Sequence, residues 1–458
     1  MRRIIVATFV ALVVGAANAA GWTRTPATRS HDLAFGLAAA PDGTVYAGTI
    51  FQARFDASPY GGASRVLPQG RNDAWLFAFA RDGAPRWTRR IGGAGLTELR
   101  DIARGADGRV VAAGLFLDEI THDDGVALHA IGGADAFVAA FEASGAPAWL
   151  ATFGGKGADV AFAVAPARDG FVVAGSFEHA MRVGADGAAP RVLRAAGRRD
   201  AFVARLDASG RVVDASAYGG PGDDRAVALA AAPDGGHVVL ILHQGGVALD
   251  DRVRIAARGL DDALVLAFDA AGGVRASATF GHEGPDVWDA ITVADDGHVW
   301  VGGSFVGARA LEVAGRTRAL RSAGSSDVVL ARFDPSLGSA RVERLGNDAA
   351  DTLSRLAPAG SGAVYAAGSS SGAMSLGRRR YESGGPRAWV ARIDRDDGVV
   401  ASLRIGADGI TQLTGLVAYE RGRVALAGLY EKSLHDPAGG IDALGKTDPF
   451  VAVRALDR

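Results

Sequence analysis

Apolar residues along this chain fall into short runs divided by turn residues, without the wide stripes that a helix needs. Residues 160–167 form one such run, which ends at Arg168-Asp169-Gly170. The next, Phe171-Val-Val-Ala-Gly-Ser-Phe177, is β-branched and aromatic. Asp-Gly between two such runs predicts a tight hairpin, because both residues tolerate positive φ. A longer connection leads to Ala201-Phe-Val-Ala-Arg-Leu206, and Asp207-Ala-Ser-Gly210 then turns the chain into a fourth run over 212–218. The pattern predicts four strands and no helix.

The four-strand unit recurs. Asp135-Ala-Phe-Val-Ala-Ala-Phe-Glu matches Asp200-Ala-Phe-Val-Ala-Arg-Leu-Asp, and related segments begin at Asp73, Asp262, Asp327, Arg387 and Asp448. The starts are 62, 65, 62, 65, 60 and 61 residues apart. The first hairpin repeats as Asp42-Gly43, Asp107-Gly108, Asp234-Gly235 and Asp296-Gly297, while the last two units keep only Gly362 and Gly422. Tandem units of this kind predict an all-β fold, a β-propeller of four-stranded antiparallel blades. A parallel β-helix has shorter coils without hairpins at fixed places, and separate β-sandwiches need more strands per unit. Gly21-Trp22-Thr-Arg-Thr25 resembles the fourth strand Arg86-Trp87-Thr-Arg-Arg90, whereas Pro449-Phe-Val-Ala-Val-Arg454 is a third strand with no fourth after it. The expectation is seven blades, with the ring closed by the N-terminal strand completing the last blade.

These blocks carry a family resemblance. Asp-Ala-Phe-Val-Ala-Arg-Leu-Asp-Ala-Ser-Gly from 200, Tyr-Gly-Gly-Pro-Gly-Asp-Asp from 218 and Val-Ala-Gly-Ser-Phe from 173 resemble the bacterial SBBP (seven-bladed β-propeller) repeat. The resemblance spans residues 21–458. It departs at Leu242, where six units have Gly (48, 114, 175, 303, 368 and 428), and at Arg387, which replaces Asp. It implies an exported propeller and brings no shared catalytic motif.

The N-terminus points the same way. Arg2-Arg3, the apolar run 4–14 and Ala17-Asn18-Ala19 read as a signal peptide over 1–19, followed by a single domain over 20–458. The apolar run is far short of the ~20 residues of a spanning helix. A secreted or periplasmic protein with no membrane span is therefore expected. A net charge of −2 with mixed signs gives no electrostatic footprint for nucleic acid. The absence of cysteine excludes disulfides, thiol nucleophiles and Cys-attached haem.

Candidate chemistry lies in the glycine-rich turns. Gly154-Gly155-Lys156-Gly157-Ala158-Asp159 fits the calcium-binding nonapeptide of β-rolls, but that motif must recur every nine residues, and here it recurs once per unit. It reads instead as the turn between units, with glycine supplying positive φ and close backbone approach. Six residues before a small residue of each first strand stand Asp32, Thr97, Asp159, Asp224, Asp286, Asp351 and Thr411. Each has a side-chain oxygen that can cap a turn. The alternative is a candidate binding site for a cation or a sugar at the channel mouth, which leaves metal binding open. A second set, Asp73, Asp135, Asp200, Asp262, Asp327 and Asp448, precedes the third strands and suits turn hydrogen bonding.

Other motifs add little. There is no His-Glu-x-x-His. A blade-motif tryptophan recurs only at Trp22, Trp87 and Trp149, which argues against a quinone, and no cofactor is expected. The sequence therefore reads as a monomeric, non-catalytic binding or scaffolding module for an envelope or extracellular protein or a glycan. The alternative is an extracellular carbohydrate-active hydrolase with two channel-mouth acids, which would need carboxyl groups roughly 5–9.5 Å apart.

Overall fold

The computed structural model describes residues 21–456 apart from 29, 54, 61–69, 123–124, 126, 185–190, 250–253, 258–261, 282–286, 383–384, 421 and 437–438. The leader expected over 1–19 lies outside the described residues, as does Asp286. The architecture is all-β, and the one helical piece among the described residues is the 3-10 turn Ser58–Tyr60.

Every four-run stretch of sequence forms an antiparallel meander. In the third unit, Val160–Ala167, Gly170–Val183, Arg191–Asp207 and Val212–Tyr218 pair in that order. The first strands of the successive units are Leu33–Ala39, Thr97–Arg104, Val160–Ala167, Arg225–Ala231, Val287–Val293, Asp351–Gly360 and Thr411–Ala418. Each of these inner strands packs against the next, and Thr411–Ala418 packs against Leu33–Ala39. The unit that begins at Thr411 takes Arg423–Tyr430 and Asp448–Ala455 as its second and third strands. Its fourth is Gly21–Arg24, with Trp22 opposite Val453.

Apolar packing follows from this arrangement. Each apolar cluster among the described residues is shared by two neighbouring units. One of them joins Trp22, Phe51 and Phe77 to Val451 and Val453. The tryptophans of the outer strands reach over these seams. The Trp22, Trp87 and Trp149 indoles donate to the carbonyls of Arg81, Ala143 and Ala208, each at 3.0 Å. Their rings lie on Gly83, Gly145 and Gly210, where an added Cβ would stand 2.5–2.7 Å from an indole atom. The likeness of Trp22 to Trp87 in sequence is thus a likeness of position.

Every inner strand carries a β-bulge near its middle, as between Leu99 and Asp101 or between Trp288 and Ala290. The glycine of the second strand lies beside it. A Cβ on Gly114, Gly175 or Gly303 would come within 1.9–2.0 Å of the carbonyl oxygen of Glu98, Val160 or Val287. Pairing also corrects one detail of the sequence alignment. Gly175 stands opposite Ala161 and Phe202. The fourth unit has Ile241 at that place, opposite Ala226 and Leu264, not Leu242. Gly236 closes its hairpin by accepting from Ala232 N, as Arg109 and His298 accept from Gly105 N and Ala294 N, and Ile241 follows it by five residues as Gly114 and Gly303 follow theirs.

Candidate functional site

The six sequence candidates among the described residues fall one to a unit, at the entrance to an inner strand. Asp32, Thr97, Asp159, Asp224, Asp351 and Thr411 are all buried. Five of their backbones tie a unit to the one before. The N–H groups of Asp32, Thr97, Asp159, Asp224 and Asp351 donate to the carbonyls of Thr447, Asn72, Ala134, Arg199 and Ser326 at 2.7–3.1 Å. Each acceptor immediately precedes a member of the second aspartate set, so the two sets run side by side. Asp32 thus lies by Asp448, Asp159 by Asp135 and Asp224 by Asp200.

The carboxylates accept backbone N–H groups of the turn. Asp32 takes Thr28 N at 2.5 Å and Thr28 Oγ1 at 2.9 Å. Asp224 takes Gly220 N at 2.7 Å and Gln244 N at 3.1 Å. Asp351 takes Asn347 N at 2.8 Å, and Asp159 takes Glu178 N at 3.3 Å. The buried hydroxyls of Thr97 and Thr411 have no hydrogen-bond partner among the described residues. Burial, with a neighbouring carboxyl as a lesser cause, raises Asp32 to about 6 and Asp159 and Asp224 to about 7.

The second set is held in the same manner. Asp135, Asp200, Asp327 and Asp448 accept N–H groups from Ile131, Ala196, Ala323 and Leu444, four residues earlier, at 2.5–2.9 Å. Asp73 pairs with Arg90 at 3.2 Å, and Asp327 pairs with Arg344; both arginines belong to the aspartate's own unit. These side chains explain the first glycine of each Gly-Gly turn. A Cβ on Gly154 would lie 2.0 Å from the Asp135 carboxyl carbon, and one on Gly219 would lie 2.3 Å from that of Asp200.

None of these residues lines the cavity between the inner strands. That cavity, about 150 Å³, draws its wall from all seven inner strands. Its charged members are Arg100, Asp101, Asp289 and Arg355. Arg100 and Asp289 are the extra residues of their bulges, which re-aim side chains out of the alternating pattern. Asp101 is tied down: Ile102 N donates to Oδ1 at 2.9 Å and Val164 N, on the next inner strand, donates to Oδ2 at 3.0 Å. Arg100 holds Glu98 at 2.5 Å. Asp289 is wetted by the cavity and makes no hydrogen bond among the described residues. Protein nevertheless encloses that wetted surface, and the loss of bulk solvent raises both Asp101 and Asp289 to about 6, against the pull of the Arg355 charge.

Sequence reasoning passed over these four residues because they do not repeat. The same places in other units hold Phe162, Val227 or Gly415, and no motif surrounds them. The one available signal was charge in a strand position where the other units are mostly apolar or small. Among the described residues, no group of three or more His, Asp or Glu is arranged to hold a metal ion. No helix among them is long and apolar enough to cross a membrane.

No protein-family model matches the sequence, and no curated protein matches it. Several solved structures are similar at low identity. Hydrazine synthase of Kuenenia stuttgartiensis is 11% identical, with 87% of this chain and 93% of that one covered at a TM-score of 0.47. Sqt1 of Chaetomium thermophilum is 12% identical, with 94% and 99% covered at a TM-score of 0.41. The PQQ-bound aldose sugar dehydrogenase of Streptomyces coelicolor is 13% identical, with 96% and 99% covered at a TM-score of 0.36.

Proposed function

We propose that this chain is an exported, seven-bladed β-propeller of the SBBP type that works as a binding module and receives its ligand at the cavity between the inner strands. Support for the ring comes from the pairing of Gly21–Arg24 with Asp448–Ala455 and from the packing of Thr411–Ala418 on Leu33–Ala39. Support for export comes from the basic, apolar and small-residue succession over 1–19.

One observation carries the placement of the site. The aspartates that repeat are occupied with turn N–H groups, whereas the charged residues that do not repeat converge on a single cavity. A repeated residue serves the scaffold; a unique one in a shared concavity suits recognition. The hydrolase reading is weaker, because it needs two carboxyl groups free to act, and both oxygens of Asp101 already accept backbone N–H groups.

The test is a binding screen of the mature protein against glycans and envelope proteins, repeated with Asp289→Asn and Arg355→Gln. Loss of a discovered ligand in these variants, with melting unchanged, supports the cavity as the site. Undiminished binding in both variants moves the site elsewhere, and release of reducing sugar from any glycan makes the protein an enzyme.

A further inference from the structure

We propose that the cavity takes a small zwitterion of the α-amino-acid class, its carboxylate on Arg355 and its ammonium on Asp289. This rests on the cavity being the binding site and adds the chemistry of the ligand.

Asp289 and Arg355 stand on neighbouring inner strands that pack against each other. The charge of Arg355 acts on Asp289, yet the two form no ion pair among the described residues. Elsewhere in this protein such neighbours do close, as Arg392 does on Asp394 and Arg109 on Glu142, both at 2.9 Å. Two features hold the cavity pair open. Asp289 is placed by its bulge, and Nη1 of Arg355 is bonded to the carbonyl of Ser354 at 2.8 Å. The remaining guanidinium nitrogens of Arg355 and both oxygens of Asp289 have no hydrogen-bond partner among the described residues. Opposite charges left apart in one enclosure are satisfied together by a solute that carries both.

The other two charged residues set the balance. Arg100 is committed to Glu98, and Asp101 is committed to two backbone N–H groups on the wall. A plain anion at Arg355 would face both aspartates, and a plain cation at Asp289 would face Arg355. A zwitterion meets neither net repulsion and gains charge-assisted bonds at each end. The half-buried Phe162, Val227 and Leu229 offer a small apolar patch beside these charges, whereas Leu37, Ile291 and Leu416 border the cavity but are buried in the seams between units. The volume of about 150 Å³ limits the ligand to a small one.

The experiment is calorimetric titration of the full-length mature protein at low salt with leucine and with its two halves, 4-methylpentanoate and 3-methylbutylamine. Leucine should bind at least about tenfold tighter than either half, since each half forfeits one charge-assisted contact. Arg355→Gln and Asp289→Asn should each weaken leucine by about tenfold or more on the same grounds. Equal affinity for leucine and either half would overturn the proposal, and so would the failure of glycine, alanine and leucine alike to bind. The wild-type comparison decides even if a variant does not fold. If amino acids fail but a glycan or protein ligand is lost in the same variants, the cavity remains the binding site and only the zwitterion falls.

Discussion

Asp159 lies beside Asp135 across the seam between two units, 24 residues apart in sequence, and both side chains are buried. Two carboxyl groups so placed cannot both be charged without cost. The same pairing recurs at Asp224 with Asp200 and at Asp32 with Asp448. Nearby cations are few: Glu178, beside Asp159, is taken up by Arg199, and Asp223, beside Asp224, by Arg198.

Burial of these carboxyls, with the neighbouring carboxyl as a lesser cause, makes stability depend on pH in a defined direction. The folded-state carboxyls of Asp32, Asp159 and Asp224 sit at about 6 to 7, above the 3.8 of an exposed aspartate. Between those values the folded chain holds more protons than the unfolded chain, so stability falls as pH rises from roughly 4 to 7. The melting temperature should therefore drop between pH 5 and pH 8. In Asp159→Asn/Asp224→Asn, where the neutral form is built in, the drop should be smaller. An identical slope in wild type and double variant would refute the effect.

Gly154→Ala tests the close approach of Asp135. The added methyl would stand 2.0 Å from the carboxyl carbon, so the seam must open or the aspartate must move. A loss of roughly 1–3 kcal/mol is expected, in line with other forced overpacking. In an Asp135→Ala background the same substitution should cost clearly less, because the obstacle is gone. Denaturant melts of the four proteins supply the cycle, and additive losses would contradict the contact.

The proposed closure by the N-terminal strand predicts a large penalty for damaging that strand. Trp22 is 3% exposed and packs in the cluster that holds Val451 and Val453. Trp22→Ala should cost about 3–5 kcal/mol, as for other buried aromatic truncations. Deletion of residues 20–27 should cost more, because it also bares the edge of Asp448–Ala455. A truncated protein that melts at the wild-type temperature would argue against a closed ring.

Export is checked directly. Protein expressed with its own N-terminus in a bacterial host should be recovered outside the cytoplasm and begin at Ala20, or within a residue or two of it. Recovery of a membrane-bound form that retains Met1 would show an uncleaved anchor instead.

Much of the fold was legible in the sequence because its signals are local and repeated. Asp-Gly at 42–43 gives a hairpin with Gly43 at φ 82° and Asp42 Oδ1 accepting Thr44 N at 2.9 Å. Trp22 could be matched to Trp87 because both sit at the same point of the repeat. The site was not legible, since bulges such as the one between Leu99 and Asp101 upset the alternation by which a strand's two faces are told apart. Counting in twos from Leu99 does not reveal that Arg100 and Asp101 both reach the cavity wall. The turn aspartates were visible as a set, but only the folded chain shows that Asp32, Asp159 and Asp224 lie against a carboxyl of the preceding unit.

The apolar packing lies in the seams between units, and this relieves the axis of the molecule of any duty in holding it together. The extra residue of a bulge, such as Arg100, Phe162 or Asp289, belongs to none of these clusters and can be exchanged for another without emptying a core. The bulged positions of the inner strands amount to a set of interchangeable sockets on a fixed frame. Related chains with the same frame can diverge there in what they recognise while their melting behaviour stays nearly constant.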